Sequence, residues 1–396
     1  EGNQPTGEEG DAGQRGNRGG KTNTNGNGRA NAGRSNRGGG VAAGQNAMDF
    51  ERPSQELAEQ ELAEEAEKVE DKTLPGQPRT PKKLTGVNPG NYRITEADKI
   101  GTGTPGERLK QNLEAIRLVR TLQAEGRYAT KEEQAVLAKY VGWGGLANAF
   151  DEASKQKQYR EANAELKRLL SPEEYTEALL STRNAHYTSP KVIKAMYDLV
   201  RHLGFMGGNV LEPTVGSGNF IGLMPEDFAA SSNWYAAEID PITGALAQYL
   251  YPEGQVMAGT GFQDAEFAYG KFDLAIGNPP FGDTRITDRN KARQHLTRMK
   301  IHNYIISKSG MHLRPGGVMA MVITHRFLDT KNDEARAELA KNFRFVGAIR
   351  LPNTAFKENA NTEVTTDIVV FQKLKPGEEA TTNLEWLDTS ATIKSD

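Results

Sequence analysis

Asp273-Leu274-Ala275-Ile276-Gly277-Asn278-Pro279-Pro280-Phe281 runs from an apolar strand straight into a rigid, polar, aromatic tetrapeptide. A strand that is apolar on both faces must be covered on both, which is the situation of a central strand in an α/β sheet. Pro279 and Pro280 have no amide hydrogen and a fixed φ, so strand pairing stops there and the Pro279 carbonyl is left to face a ligand. The Asn278 side-chain oxygen and that carbonyl are two convergent acceptors, the complement of an exocyclic amine with two N–H donors. Phe281 adds a flat apolar face on which a planar base can stack. Asn-Pro alone also marks ordinary turns, and a plain turn is the alternative reading.

Around this segment, strands alternate with helices from Asn184 onward. Candidate strands are Asn209–Glu212, Trp234–Ile239, Gln255–Gly259, Phe272–Gly277, Gly317–Thr324, Phe345–Arg350 and Ile368–Gln372. Helical stretches are expected around Lys191–Leu203, Pro241–Tyr249, Asn303–Leu313 and Glu334–Asn342. The alternation predicts an α/β fold, a mostly parallel seven-stranded sheet with an antiparallel edge strand, because the last two strands leave little room for a helical crossover.

The first strand ends in Leu211-Glu212-Pro213-Thr214-Val215-Gly216-Ser217-Gly218-Asn219-Phe220. Gly216 and Gly218 at a strand-to-helix turn let a ligand approach the backbone at the carboxyl end of the sheet. Ile221 stands where the dinucleotide fingerprint requires a third glycine, which disfavours an NAD site. Glu238, in Ala237-Glu238-Ile239-Asp240-Pro241, ends the second strand, where a carboxylate can accept both ribose hydroxyls of an adenosine cofactor; a solvated loop acid is its alternative.

The segment after the tetrapeptide, Asp283–Lys300, carries Arg285, Arg289, Lys291, Arg293, Arg298 and Lys300 against Asp283 and Asp288. Cations beside an exposed reaction centre are placed to hold phosphates, with a merely solvated surface as the alternative. The six histidines show no metal-ligand spacing. His186 and His302 read as hydrogen-bonding scaffold.

The whole chain has 396 residues, 49 Lys plus Arg against 52 Asp plus Glu, a net charge of −3 and no cysteine. The lack of cysteine excludes a disulfide scaffold, cysteine-ligated zinc and a cysteine nucleophile. Hydrophobic residues make up 36% and the mean hydropathy is −0.65, low values because the first ninety residues hold almost no apolar clusters. Residues 1–50 are rich in Gly, Asn and Arg and are expected to be disordered, serving as a solvated spacer or a weak nucleic-acid contact. Between Asp11 and Gly40 there are six cations and one anion, but no aromatic residue for base stacking. A tandem Gln-Glu-Leu-Ala-Glu repeat over 55–64 predicts a solvated acidic helix, followed by a linker from Leu74 to Gly90.

The expected layout is tail, acidic helix and linker over 1–90, a helical subdomain over 91–183, a catalytic domain over 184–375 and an extension over 376–396. In the subdomain, Arg108–Glu125 shows apolar residues at helical spacing, and Thr130 with Glu133 forms a capping box for a second helix. Tyr140-Val141-Gly142-Trp143-Gly144-Gly145-Leu146 predicts a tight turn, with Trp143 as a packing residue. No stretch approaches the ~20 apolar residues of a membrane span. The start lacks a basic and apolar leader and lacks Met, so the chain is expected to be soluble and intracellular, and a fragment or a processed form.

At these residues the sequence resembles S-adenosylmethionine-dependent DNA N6-adenine methyltransferases with the γ motif order. Glu212–Phe220 resembles the family's cofactor loop, Glu238 with Ile239 its ribose site, and Asn278-Pro279-Pro280-Phe281 its catalytic tetrapeptide. His186-Tyr187-Thr188-Ser189-Pro190 resembles the segment at the cofactor's methionine end. More narrowly, the chain is similar to the methylase part of phage and plasmid methylase–helicase fusions, some linked to antirestriction. That similarity is carried by Tyr140–Leu146, Ile301-His302-Asn303-Tyr304, Arg314-Pro315-Gly316-Gly317-Val318 and Arg350–Phe356 through Thr362–Asp367, and it covers about Asn91–Lys373.

The resemblance implies a Rossmann-like class I methyltransferase fold, S-adenosylmethionine as cofactor, and cofactor contacts at Thr188, Pro190, Glu212, Pro213, Gly216, Gly218, Phe220, Glu238, Ile239, Phe262 and Asn278. It implies DNA as partner, a helicase domain or subunit as a further one, no metal and no membrane. The expected location is the cytoplasm of a bacterial or phage-infected cell, or a virion. Gly261-Phe262-Gln263-Asp264 departs from the family's Asp-Phe pair at the adenine: Phe262 can stack, but the acid is displaced. The γ arrangement's C-terminal target-recognition domain finds no place after the last strand, nor does a helicase motor.

The implied reaction is direct transfer to a flipped or single-stranded adenine, with Phe356 stacking on the base from the far side or simply buried. Transfer to RNA or to a protein glutamine amide is one alternative, and a non-catalytic DNA-binding or virion-packaged antirestriction protein another.

Overall fold

The computed structural model describes residues 84–182, 188–331, 334–353, 355, 365–379 and 385–387. The glycine-rich tail, the acidic helix, His186, Tyr187, Phe356 and most of the C-terminal extension lie outside these described residues.

The seven expected strands form with their boundaries shifted by a few residues: β1 (Gly208–Glu212), β2 (Ser232–Glu238), β3 (Gln255–Ala258), β4 (Phe272–Gly277), β5 (Leu313–Thr324), β6 (Phe343–Arg350) and β7 (Thr366–Lys373). They make one sheet in the order β3-β2-β1-β4-β5-β7-β6. The first five are parallel, and β7 runs against both β5 and β6. The last two strands therefore pair antiparallel at the edge, as the short connection requires. The reversed strand, however, lies one place in from the rim: β7 takes the partner-free side of β5 and leaves β6 outermost. With its central β1–β4 pair and this reversed strand, the sheet is that of a Rossmann-like class I methyltransferase.

Alternate residues go to opposite faces of the sheet. Leu274 and Ile276 enter one apolar cluster, with Val210 and Val322, while Ala275 enters the other, with Leu211 and Met321. The first cluster is shared with helices that precede the sheet: α1 (Pro105–Glu125), α2 (Lys131–Leu137), α3 (Lys157–Leu169), α4 (Pro172–Ser181) and α5 (Pro190–His202). α6 (Pro241–Leu250) follows β2, α7 (Ile301–His312) leads into β5, and α8 (Glu334–Asn342) leads into β6.

Capping chemistry sets several of these starts. Thr104 caps α1 reciprocally with Glu107, and Pro105 takes the first helical position, so α1 begins one turn before the expected Arg108. The Thr130–Glu133 box opens α2 as the sequence predicts. α3 and α4 were not expected, although Ser171-Pro172-Glu173-Glu174 is the same signal and caps α4 in the same way. Trp143 is fully buried, edge-on to Phe150 at 5.0 Å and to Tyr140 at 6.3 Å, and belongs to the core. Among the described residues no helix is long and apolar enough to cross a membrane.

Candidate active site

From β1 the chain order runs outward in one direction through β2 and β3, and in the other direction through β4 and β5. Loops leaving the carboxyl ends of β1 and β4 diverge at such a switch point and open a crevice. A cavity of about 460 Å³ lies there, within the range of small-molecule sites.

The loop after β1 forms its floor. Gly216, at φ +54°, donates its N–H to Glu238 Oε2 at 2.8 Å, and a Cβ placed on it would meet no neighbour within 4 Å, so its backbone is open to a ligand. Gly218 behaves differently. It does not line the cavity, and at φ +78° a Cβ there would fall 2.2 Å from the Tyr251 ring. This glycine serves the turn and its packing against Tyr251.

Glu238 is fixed by two main-chain donors, Gly216 N–H and Asp240 N–H, the latter at 3.0 Å to Oε1. Each of its oxygens keeps a lone pair for a further donor. Burial, with Asp240 adding repulsion, pushes its carboxyl up to about 7. Glu212 is more deeply desolvated, and burial followed by the charge of Glu238 holds it well above the usual carboxylate range.

Glu212 Oε2 and Thr214 Oγ1 are buried with no hydrogen-bond partner among the described residues, and both residues line the cavity. Buried polar atoms left unpaired cost stability, so they point to a polar ligand. Pro213, Phe220, Ile239, Phe262 and the buried Thr188 also line the cavity. Pro190 does not: it is the exposed first residue of α5, where its missing N–H costs the helix nothing.

From β4, Asn278 and Pro280 reach the cavity. Pro279 is buried and does not line the cavity. Phe281 is half-buried, packs against the apolar cluster of Val210 and Ile276, and does not line the cavity. Thr284, Ile286, Ile301 and Ile305 make the wall beyond it, closed by Ile301 N–H donating to Thr284 O at 2.8 Å.

Of the six cations after the tetrapeptide, Arg285, Arg289, Lys291 and Arg298 are exposed. Lys300 is also exposed but pairs with Asp283 at 2.6 Å. Arg293 is 1% exposed and cannot hold a phosphate. Its guanidinium is engaged inside the fold, by Asp288 at 2.5 Å and by Glu266 at 2.8 Å. Asp288 lies five residues before it, and this acid in the middle of a basic run was the available signal.

The sequence reading missed the wall supplied by the preceding helices. Tyr140, Gly142, Glu177 and Leu180 line the cavity from the side facing β2 and α6. Tyr140 Oη lies 3.0 Å from Thr243 Oγ1, and that hydroxyl donates to Asp240 Oδ2 at 2.6 Å, tying the Tyr140–Leu146 turn to the loop that bears Glu238. No group of three or more metal-ligating side chains occurs among the described residues.

Residues 231–356, which span β2 to the segment after β6, match the family profile described as Eco57I restriction-modification methylase. The chain is 26% identical over 268 residues to Defense against restriction protein B of Escherichia phage P1, covering 67% of this chain and 10% of the phage protein. It is 30% identical over 201 residues to the type II methyltransferase M.CvrRI of Paramecium bursaria Chlorella virus XZ-6E, covering 48% of this chain and 49% of that enzyme. The chain thus spans a tenth of one curated relative and about half of the other. Among solved structures, the type I restriction-modification methyltransferase subunit from Streptococcus thermophilus superposes with a TM-score of 0.42 at 17% identity, over 67% of this chain and 66% of that one. The similarity implies S-adenosylmethionine as the methyl donor, and the unpaired acceptor and hydroxyl, the open Gly216 backbone and the fixed Glu238 carboxyl fit it. Residues 231–356, about a third of the chain, are thus similar to the Eco57I type of restriction-modification methylase.

Proposed function

We propose that the chain methylates the N6 amine of adenine in DNA, on a base taken out of the stack. One observation carries this: Asn278 at the end of β4 borders the same cavity as Glu212, Gly216 and Glu238 from β1 and β2. On this reading the amine-binding residue lies beside the cofactor loop.

Bound S-adenosylmethionine supplies a methyl group activated by its sulfonium. Glu238 accepts the ribose hydroxyls. Thr188, Glu212 and Thr214 present polar side chains to the cofactor's charged end, while Phe262 gives its adenine an apolar surface. Asn278 Oδ1 and the Pro279 carbonyl accept the two amine hydrogens, which turns the nitrogen lone pair out of conjugation and toward the methyl group. Orientation and this polarisation supply the acceleration. The amine is out of reach within a duplex, so the base is extruded or comes from a single strand. Arg285, Arg289, Lys291 and Arg298 hold the flanking phosphates.

Transfer of labelled methyl groups from S-adenosylmethionine to DNA, RNA and protein pools tests the acceptor; label in RNA or protein alone rejects adenine in DNA. Asn278→Ala is expected to cut turnover on DNA at least about a hundredfold, the scale of losing one preorganised polar contact, with cofactor affinity little changed. Full activity in that variant refutes the catalytic role, and lost cofactor binding reassigns the residue to the cofactor.

A further inference from the structure

α7 faces the sheet with a lysine where an aliphatic side chain would pack more cheaply. Lys308 is 0% exposed. Its ammonium donates to three main-chain carbonyls, those of Phe262, Gln263 at 3.3 Å and Ala265 at 3.0 Å, and stands 4.6 Å from the centroid of the Phe262 ring. Three donors thus meet three acceptors and an aromatic face. The loop so gathered is a wall of the cavity, through Gly261, Phe262 and Gln263. Because a peptide N–H points opposite to the preceding C=O, drawing the Phe262 carbonyl onto Lys308 aims the Gln263 N–H away from the lysine. Burying a charge is costly, and simple packing of a helix on a sheet does not require one.

We propose that Lys308 is a positioning residue for cofactor capture: by gathering the carbonyls of Phe262, Gln263 and Ala265 it holds the 261–265 loop in the shape that receives S-adenosylmethionine. This rests on the cavity's assignment as the cofactor site. The groups facing Lys308 are few. Burial, with Arg293 adding repulsion, lowers it to about 7, while Glu266, Asp288 and Asp264 oppose the change. His312, one turn on, is held well below its usual range by burial and by Lys308 itself, and stays neutral. As pH rises through about 7 the ammonium loses a proton, and with it one donor and the charge. By linkage, the fold is not weakened by this loss: between about 7 and the lysine's ordinary value the unfolded chain binds the extra proton, so this group's contribution to stability rises with pH. An alkaline fall in cofactor affinity is then a loss of positioning.

The test is calorimetric binding of S-adenosylmethionine between pH 6 and 9 to the full chain, to Lys308→Gln and to Lys308→Met, with thermal melts alongside. Relative to both variants, which share the Glu238 titration, wild-type affinity is expected to fall on the alkaline side. Both variants are expected to bind about tenfold more weakly at pH 6.5, the scale of one charged hydrogen bond, and to lack that part of the alkaline fall. The cofactor's own amine titrates equally in all three proteins, so the difference in slope belongs to Lys308. Variants with wild-type affinity and slope but a lower melting temperature overturn the proposal and leave Lys308 a purely structural residue. If both variants unfold, binding of 5′-methylthioadenosine, which has no amine to titrate, to Glu238→Gln, which removes the other group titrating near 7, decides: flat affinity from pH 6 to 9 overturns the proposal. A wild-type chain that melts cooperatively yet binds neither compound overturns the cavity's assignment instead, and this proposal with it.

Discussion

Glu238 combines two demands that conflict. In the proposed role its carboxylate must be charged to grip a ribose diol, yet burial and Asp240 raise it to about 7. The raised value makes its contribution to fold stability greatest in acid and lost as pH rises through about 7, whereas its value for binding grows over the same range. Cofactor affinity is therefore expected to weaken below pH 7 as Glu238 takes up a proton, and Glu238→Gln should bind weakly with that acid limb gone, read by calorimetry across pH 5.5–8. An acid limb that persists in Glu238→Gln removes the ribose role. At this scale the sequence was informative where one residue type answers one local need. Glu238 ends a strand, Gly216 needs a left-handed turn with open space above it, and Asn278 precedes two prolines; each is recognisable from its immediate neighbours. Arg293 was misread because its fate depends on a partner contributed by the fold, Glu266 on another loop.

Among the elements, α1 and the turn after α2 depend on one buried amide. Asn112 Nδ2 donates to Gly142 O at 2.6 Å, and its Oδ1 accepts from Val141 N–H at 3.0 Å. The same turn carries Tyr140 and Gly142 into the cavity wall. Asn112→Leu would leave a buried N–H and a buried C=O unpaired, at a cost on the order of 2–4 kcal/mol. The expected result is a lower melting temperature together with weaker cofactor binding; an unchanged melt denies the amide its bracing role. The strands and crossover helices were legible because fully apolar runs bounded by Gly and Pro specify buried strands, and capping residues specify helix starts. That α1 to α4 would close one side of the site was not legible, since local spacing does not encode which helix face meets which strand end.

At the scale of the whole molecule, the segment after the tetrapeptide sorts its charges by burial. The chain is near neutral overall, yet Arg285, Arg289, Lys291 and Arg298 stand exposed on the segment that leaves the tetrapeptide, while Arg293 inside the same run fastens that segment to Glu266. Replacing Arg289, Lys291 and Arg298 with Glu is expected to weaken DNA binding and to reduce the slope of log affinity against log salt by about 2–3, nearly one for each phosphate no longer neutralised. An unchanged slope separates the segment from DNA. Arg293→Ala should instead lower the melting temperature, because Asp288 would be left buried without its partner.

The placement of β7 between β5 and β6 bears on how the chain comes off the ribosome. β5 is complete at Thr324 and β6 at Arg350, but the side of β5 away from β4, and β6 altogether, stay unpaired until Thr366–Lys373 has emerged. Until then the growing polypeptide carries an unpaired, strongly apolar strand flank, the kind of surface that recruits another chain. Synthesis of the final strand is thus the event that seals the sheet, and a nascent chain stalled before it would be exposed to aggregation and to chaperone capture.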